Sequence, residues 1–139
     1  FDPMLSQTPS GFVSQMLLSS IVHFRLGLPT ANFLSKSDLL DPETLEKILD
    51  WGENLDILES ALYEESANQS LNAAQGGQRA EFAIGQLRMM KHASIQPGLI
   101  PLSSEMEEGL ADILTFAQSI FGGMADTRDG FQGDIEHEL

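Results

Sequence analysis

The sequence predicts an all-α fold, most simply an antiparallel bundle of about four helices followed by an acidic tail. Three observations predict it. Apolar residues recur at steps of three and four in four separate segments, which is helical spacing. Those segments are bounded by capping residues, prolines and glycines placed where helices start and stop. No segment shows the strict apolar–polar alternation of a half-buried strand, and no internal repeat is visible.

The first expected helix starts at Thr8-Pro9-Ser10. Thr8 can cap and Pro9 fits the first helical position. Val13, Leu17, Ile21, Phe24 and Leu28 make its stripe, with Phe12 and Met16 beside them, and Gly27 and Pro29 close it. Its apolar residues wrap around more than one face. It is therefore expected to be either a buried central helix or an interface helix. Residues 28–37 read as a connector, with Phe33 and Leu34 tucked onto the core. The second helix has the clearest start: Asp41 caps, Pro42 takes the first position and Glu43 favours the positive end. Ile48, Trp51, Leu55, Leu58 and Leu62 form a short heptad-like seam. Asp50, Glu53, Ser60 and Glu64 are expected to face solvent. Gly76-Gly77 predicts a turn, since each glycine costs about 1 kcal/mol inside a helix.

The third helix is expected from about 78 to 93, with Ala80, Ala83, Ile84, Leu87 and Met90 as its stripe. It is the only basic element, carrying Arg79, Arg88 and Lys91 against Glu81, so it should lie beside an acidic helix of the same chain. Pro97 and Pro101 bracket a rigid loop. The fourth helix is expected to start at Ser103 or Ser104, where Ser104 and Glu107 match a capping box. It carries Met106, Leu110, Ile113, Leu114, Ala117, Ile120 and Phe121 on one stripe and ends at Gly122-Gly123. The expected organisation is one helical domain over residues 1–124 and a flexible acidic tail over 125–139.

Charge narrows the partners. The chain of 139 residues has a net charge of −14, and residues 38–65 hold ten carboxylates against Lys47 alone. Such a field repels nucleic acid and anionic lipid and favours basic partners or simple solubility. There is no cysteine, so disulfides, thiolate catalysis and cysteine-based zinc sites are excluded and the compartment is left open. The chain opens on Phe1 rather than Met, which reads as a processed product, a fragment or a chain with an undetermined start. No signal peptide is visible. Residues 11–28 include Ser14, Gln15, Ser19, Ser20, His23 and Arg25, too polar and too short to span a bilayer.

No reaction centre is legible. His23 reads as a boundary residue, and His92 suits the negative end of a helix. His137 lies between Glu136 and Glu138 in the tail, where a metal site would lack preorganisation. No Glu-x-x-His pair occurs for a di-iron bundle. A calcium loop fails around Gly130, because Ala125 would hold its first ligand position. Neither a Gly-x-Ser-x-Gly elbow nor a phosphate-cradling glycine motif appears. The expectation is a non-enzymatic helical subunit, without cofactor or metal, that mediates assembly of a larger viral or multi-subunit complex. Its partners would be other protein subunits in a homo- or hetero-oligomer, met through Phe12, Met16, Phe24 and Phe33. The rival expectation is an acidic decoy whose spaced carboxylates imitate nucleic acid and occupy a basic protein.

Overall fold

The computed structural model describes residues 1–70, 76–105 and 107–129. Among them the chain is mostly helical, as expected, but it also contains a small sheet that sequence patterning missed. The element order is α1 (Pro3–Ser6), α2 (Pro9–Leu26), β1 (Asn32–Ser35), a 3-10 turn (Ser37–Leu39), α3 (Pro42–Glu53), α4 (Leu55–Ser70), α5 (Gly76–His92), β2 (Leu99–Leu102) and α6 (Leu110–Asp129).

The starts of α2 and α3 follow the sequence. Thr8 accepts from the Gly11 amide with Pro9 at the first position, and Asp41 accepts from Thr44 with Pro42 behind it. Gly27 closes α2 in a left-handed cap, its amide donating to His23. The expected second helix is broken into two. At Asn54 the backbone turns extended (φ −133°, ψ 101°), and the Asn54 side chain accepts from the Asp56 amide to start α4. The break bends the chain without spoiling its seam: Ile48, Trp51, Leu55, Leu58 and Leu62 are all buried.

α4 and α5 form an antiparallel hairpin. Late residues of α5 meet early residues of α4: Lys91 pairs with Asp56 at 2.5 Å and Glu59 at 2.7 Å, and Arg88 with Glu59 at 3.1 Å. The basic helix thus lies against the acidic one, as its charge predicted. Ala80, Ala83, Ile84, Leu87 and Met90 turn inward from α5. The core gathers Phe12, Val13 and Met16 of α2, Leu34 of β1, the α3–α4 seam and Ala83, Ile84, Leu87 and Met90 of α5. Trp51 and Phe12 meet edge to face at 5.9 Å between centroids. At the start of α2, Glu65 of α4 accepts from the Ser10 amide and hydroxyl at 2.9 and 2.7 Å, a carboxylate on a positive helix end.

The two departures from an all-α bundle are physical. The first is the strand pair: β1 and β2 run parallel, with Leu34 opposite Pro101. Each is four residues long, too short for alternation to show. Residues read as connector and rigid loop are therefore strands. Pro101 is tolerated because β2 has no further strand on its other flank among the described residues. Gly52 lets α3 approach β2, since a Cβ there would stand 3.0 Å from the Leu99 Cβ.

The second departure is the last helix, which begins seven residues beyond Ser103, at Leu110. Ser103 and Glu108 instead exchange backbone hydrogen bonds of 3.2 and 3.0 Å and close a loop. Gly109 permits this, with φ +76° and the Pro101 carbonyl 2.2 Å from where a Cβ would be. The glycine pairs 76–77 and 122–123 lie within α5 and α6 rather than ending helices. His137 and residues 130–139 lie outside the described residues.

Candidate functional site

The carboxyl ends of β1 and β2 carry polar residues that the sequence alone does not bring together. After Ser35, the chain enters a left-handed turn at Lys36 (φ 53°) and continues into Ser37-Asp38-Leu39 as a 3-10 turn. Leu39 and Leu40 amides donate to Lys36 and Ser37 carbonyls at 3.1 Å each. A lysine in that region is strained by ~1–3 kcal/mol and persists only where its surroundings hold it. After Leu102, β2 runs into Ser103, fully buried, and the Ser103 hydroxyl donates to Asp38 Oδ1 at 2.5 Å. The loop answers with a second contact, as the buried Ser37 hydroxyl donates to Glu108 Oε2 at 3.3 Å. Each of two facing loops thus gives one serine hydroxyl to the other's carboxylate, across 65 and 71 positions of sequence.

Chemically, Asp38 is an acceptor held in place. Its Oδ1 is engaged by Ser103 and the side chain is half-buried. Exposed Lys36 supplies a cation and a hydrocarbon stem one turn away. In open parallel sheets the carboxyl ends of strands are where ligands bind. Sequence reasoning passed over these residues for want of a motif with known mechanics. The available signal was two short segments, Phe33-Leu34 within Asn32–Ser35 and the apolar Leu99–Leu102, each followed closely by serine and charged residues.

A concavity lies elsewhere. A cavity of about 360 Å³ opens between α2 and the segment before β2, lined by Ser19, His23, Phe24, Asn32, Ser94 and Gln96 among others. His23 Nδ1 lies 3.1 Å from the Thr30 hydroxyl, so His23 has a local structural partner. Ser19 donates to Asn32 Oδ1, and the Asn32 amide donates to the Pro97 carbonyl. These bonds tie α2 to the strand starts, opposite the end that carries Asp38. Among the described residues no group of three or more His, Asp or Glu side chains could hold a metal, and no helix is long and apolar enough to cross a membrane.

The four expected contact residues fall in three environments. Phe12 and Met16 are buried in the core cluster, Phe33 is half-buried in β1, and Phe24 is 67% exposed. They do not form one surface. Around Phe24, every residue from 21 to 30 is exposed.

The fold is thus mostly helical, with a small parallel strand pair whose carboxyl ends carry a held carboxylate. Over residues 1–123 the chain matches the family described as "conserved hypothetical ATP binding protein", and it belongs to that family. No curated protein and no solved structure matches it.

Proposed function

We propose that this chain supplies the base-recognition side of a purine-nucleotide site, centred on Asp38, with Ser103 and Lys36 beside it. The observation that carries the reading is the 2.5 Å contact by which Ser103, at the end of β2, holds Asp38, at the end of β1. The family's description, which names ATP binding, adds to it. The residues fit part of a nucleotide. An ionised carboxylate only accepts hydrogen bonds. Guanine presents two adjacent N–H donors on its pairing edge, whereas adenine sets its amino donor beside an acceptor nitrogen that a carboxylate repels. A guanine ring is therefore the better match, and a site built on such polar contacts discriminates strongly. The phosphates are another matter. No Gly-x-x-x-x-Gly-Lys-Ser/Thr run occurs in these 139 residues, and the net charge of −14 opposes bound anions. This chain is read as binding nucleotide rather than as performing chemistry on it.

Neutral nucleosides test the reading without the phosphate penalty. Two-dimensional NMR of the chain with guanosine should shift the amides of Lys36, Ser37, Asp38 and Ser103, with adenosine at least tenfold weaker. Asp38→Ala should abolish these shifts while leaving the rest of the spectrum in place. Shifts confined to the cavity beside His23, or equal responses to both nucleosides, would remove the assignment.

A second reading, a subunit that docks on other protein, draws on a separate observation. Leu18, Ile21 and Phe24 of α2 stand exposed, with Leu18 near Phe82 and with Ile21 and Phe24 near Met89 of α5. Exposed apolar surface of this extent marks interaction sites. Light scattering on the eluting protein tests it, and a monomer at all concentrations would speak against self-association.

A further inference from the structure

Glu108 lies in a loop with no direct share in the proposed base contact. Three observations nevertheless link it to Asp38. Ser37, the residue before Asp38, is buried and donates to Glu108 Oε2 at 3.3 Å. Glu108 and Ser103 exchange backbone hydrogen bonds, so the residue that holds Ser37 is bonded to the residue that holds Asp38. Both loops contain a costly conformation, with Lys36 at φ 53° and Glu107 at φ 54°. Strained turns of this kind stay put only when contacts over-determine them. Here the contacts are the two crossed serine–carboxylate bonds.

We propose that Glu108 is a positioning residue for base selection, clasping Ser37 so that the Lys36–Asp38 turn presents the Asp38 carboxylate in one orientation. The inference rests on the base-recognition reading above and deepens it. Ser103 alone fixes one oxygen of Asp38 but leaves the turn that carries it free to pivot. Glu108 removes that freedom from the other side. The chemistry needs only an acceptor oxygen at Oε2, so glutamine can stand in for glutamate, whereas alanine cannot.

The test uses the whole chain with guanosine and adenosine as probes, and compares Glu108→Ala, Glu108→Gln, Ser37→Ala and Asp38→Ala. Glu108→Ala should weaken guanosine binding about fivefold, the scale of one ordinary hydrogen bond, and narrow the guanosine-to-adenosine ratio by a similar factor. Glu108→Gln should restore most of both. Ser37→Ala should match Glu108→Ala, with the double variant no worse than either, because both remove the same bond. Without nucleoside, amide exchange at Leu39 and Leu40 should quicken in Glu108→Ala and not in Glu108→Gln. If wild type binds guanosine and Glu108→Ala keeps its affinity, ratio and exchange rates, the clasp is wrong and the site stands. If wild type shows no guanosine response that Asp38→Ala removes, the site reading fails and takes this role with it. Equal losses for alanine and glutamine would also overturn the proposal, since an acceptor would then not be what matters.

Discussion

Single positions decide whether the strand ends can close on one another. Gly109 is the sharpest case, because its backbone has φ +76° and a Cβ would meet the Pro101 carbonyl at 2.2 Å. Backbone cannot move aside as a side-chain tip can. Gly109→Ala should therefore destabilise the fold by about 2–4 kcal/mol, combining left-handed strain with the clash. Urea unfolding measures it, and a loss under 1 kcal/mol would mean the loop has another conformation to adopt. Gly85 offers the control, since nothing lies within 4 Å of a Cβ built there. Gly85→Ala sits on an exposed face within α5 and should stabilise by up to about 1 kcal/mol. None of this was legible in sequence. A glycine before a helix reads as a generic cap, and only the folded chain reveals the carbonyl it must clear.

At the level of elements, periodicity located helices more surely than their cover: Leu110, Leu114 and Phe121 of the expected last stripe lie in α6 but are exposed, whereas two other stripes are covered. The α3–α4 seam and the α5 stripe run long enough to repeat, and every named residue is buried. The caps of α2 and α3 were legible because Thr-Pro and Asp-Pro each carry a local mechanism. Strands of four residues repeat nothing, so β1 and β2 were hidden, and with them the reason Asp38 and Ser103 meet.

The α4–α5 hairpin carries a pH dependence whose sign follows from its partners. Hydrogen bonds from Lys91 and then Arg88 hold the Glu59 carboxyl below its ordinary value, and hydrogen bonds to Asp56 and Glu59 raise Lys91 above its own. A lowered carboxyl stabilises the fold above the ordinary glutamate range, and that contribution fades as pH falls through the folded value. A raised lysine stabilises below its ordinary range, near 10.4, and its contribution fades as pH climbs through the folded value. The stability contributed by these pairs should thus be flat across neutrality and fall away on both sides. Both effects should be small, as exposed pairs generally are. Glu59→Gln should flatten the acid limb in urea midpoints taken between pH 7 and pH 3. An unchanged acid limb would show that other carboxylates dominate it.

For the whole molecule, the exposed outer end of α2 is the feature that separates the two functional readings. Phe24 is the discriminating residue, because the sequence could not say whether this helix was core or interface. Its first half is core, with Phe12, Val13 and Met16 buried, and its end from residue 21 onward is exposed. Amphipathic spacing reports a stripe but not where along the helix its cover stops. Phe24→Asp should leave unfolding stability within about 0.5 kcal/mol, as exposed positions usually do. If the docking reading holds, the same change should lower the apparent mass by light scattering. A large loss of stability would mean that Phe24 is covered in solution.

The crossed serine–carboxylate pair joins positions 65 and 71 residues apart, with all of α3, α4 and α5 threaded between them. Contacts so distant along a polypeptide form late, after the intervening segments have condensed. Nucleoside capture would then mark completion of folding: a kinetic refolding trace followed by guanosine should lag one followed by helix content, and any lesion loosening the helical hairpin would silence recognition from afar.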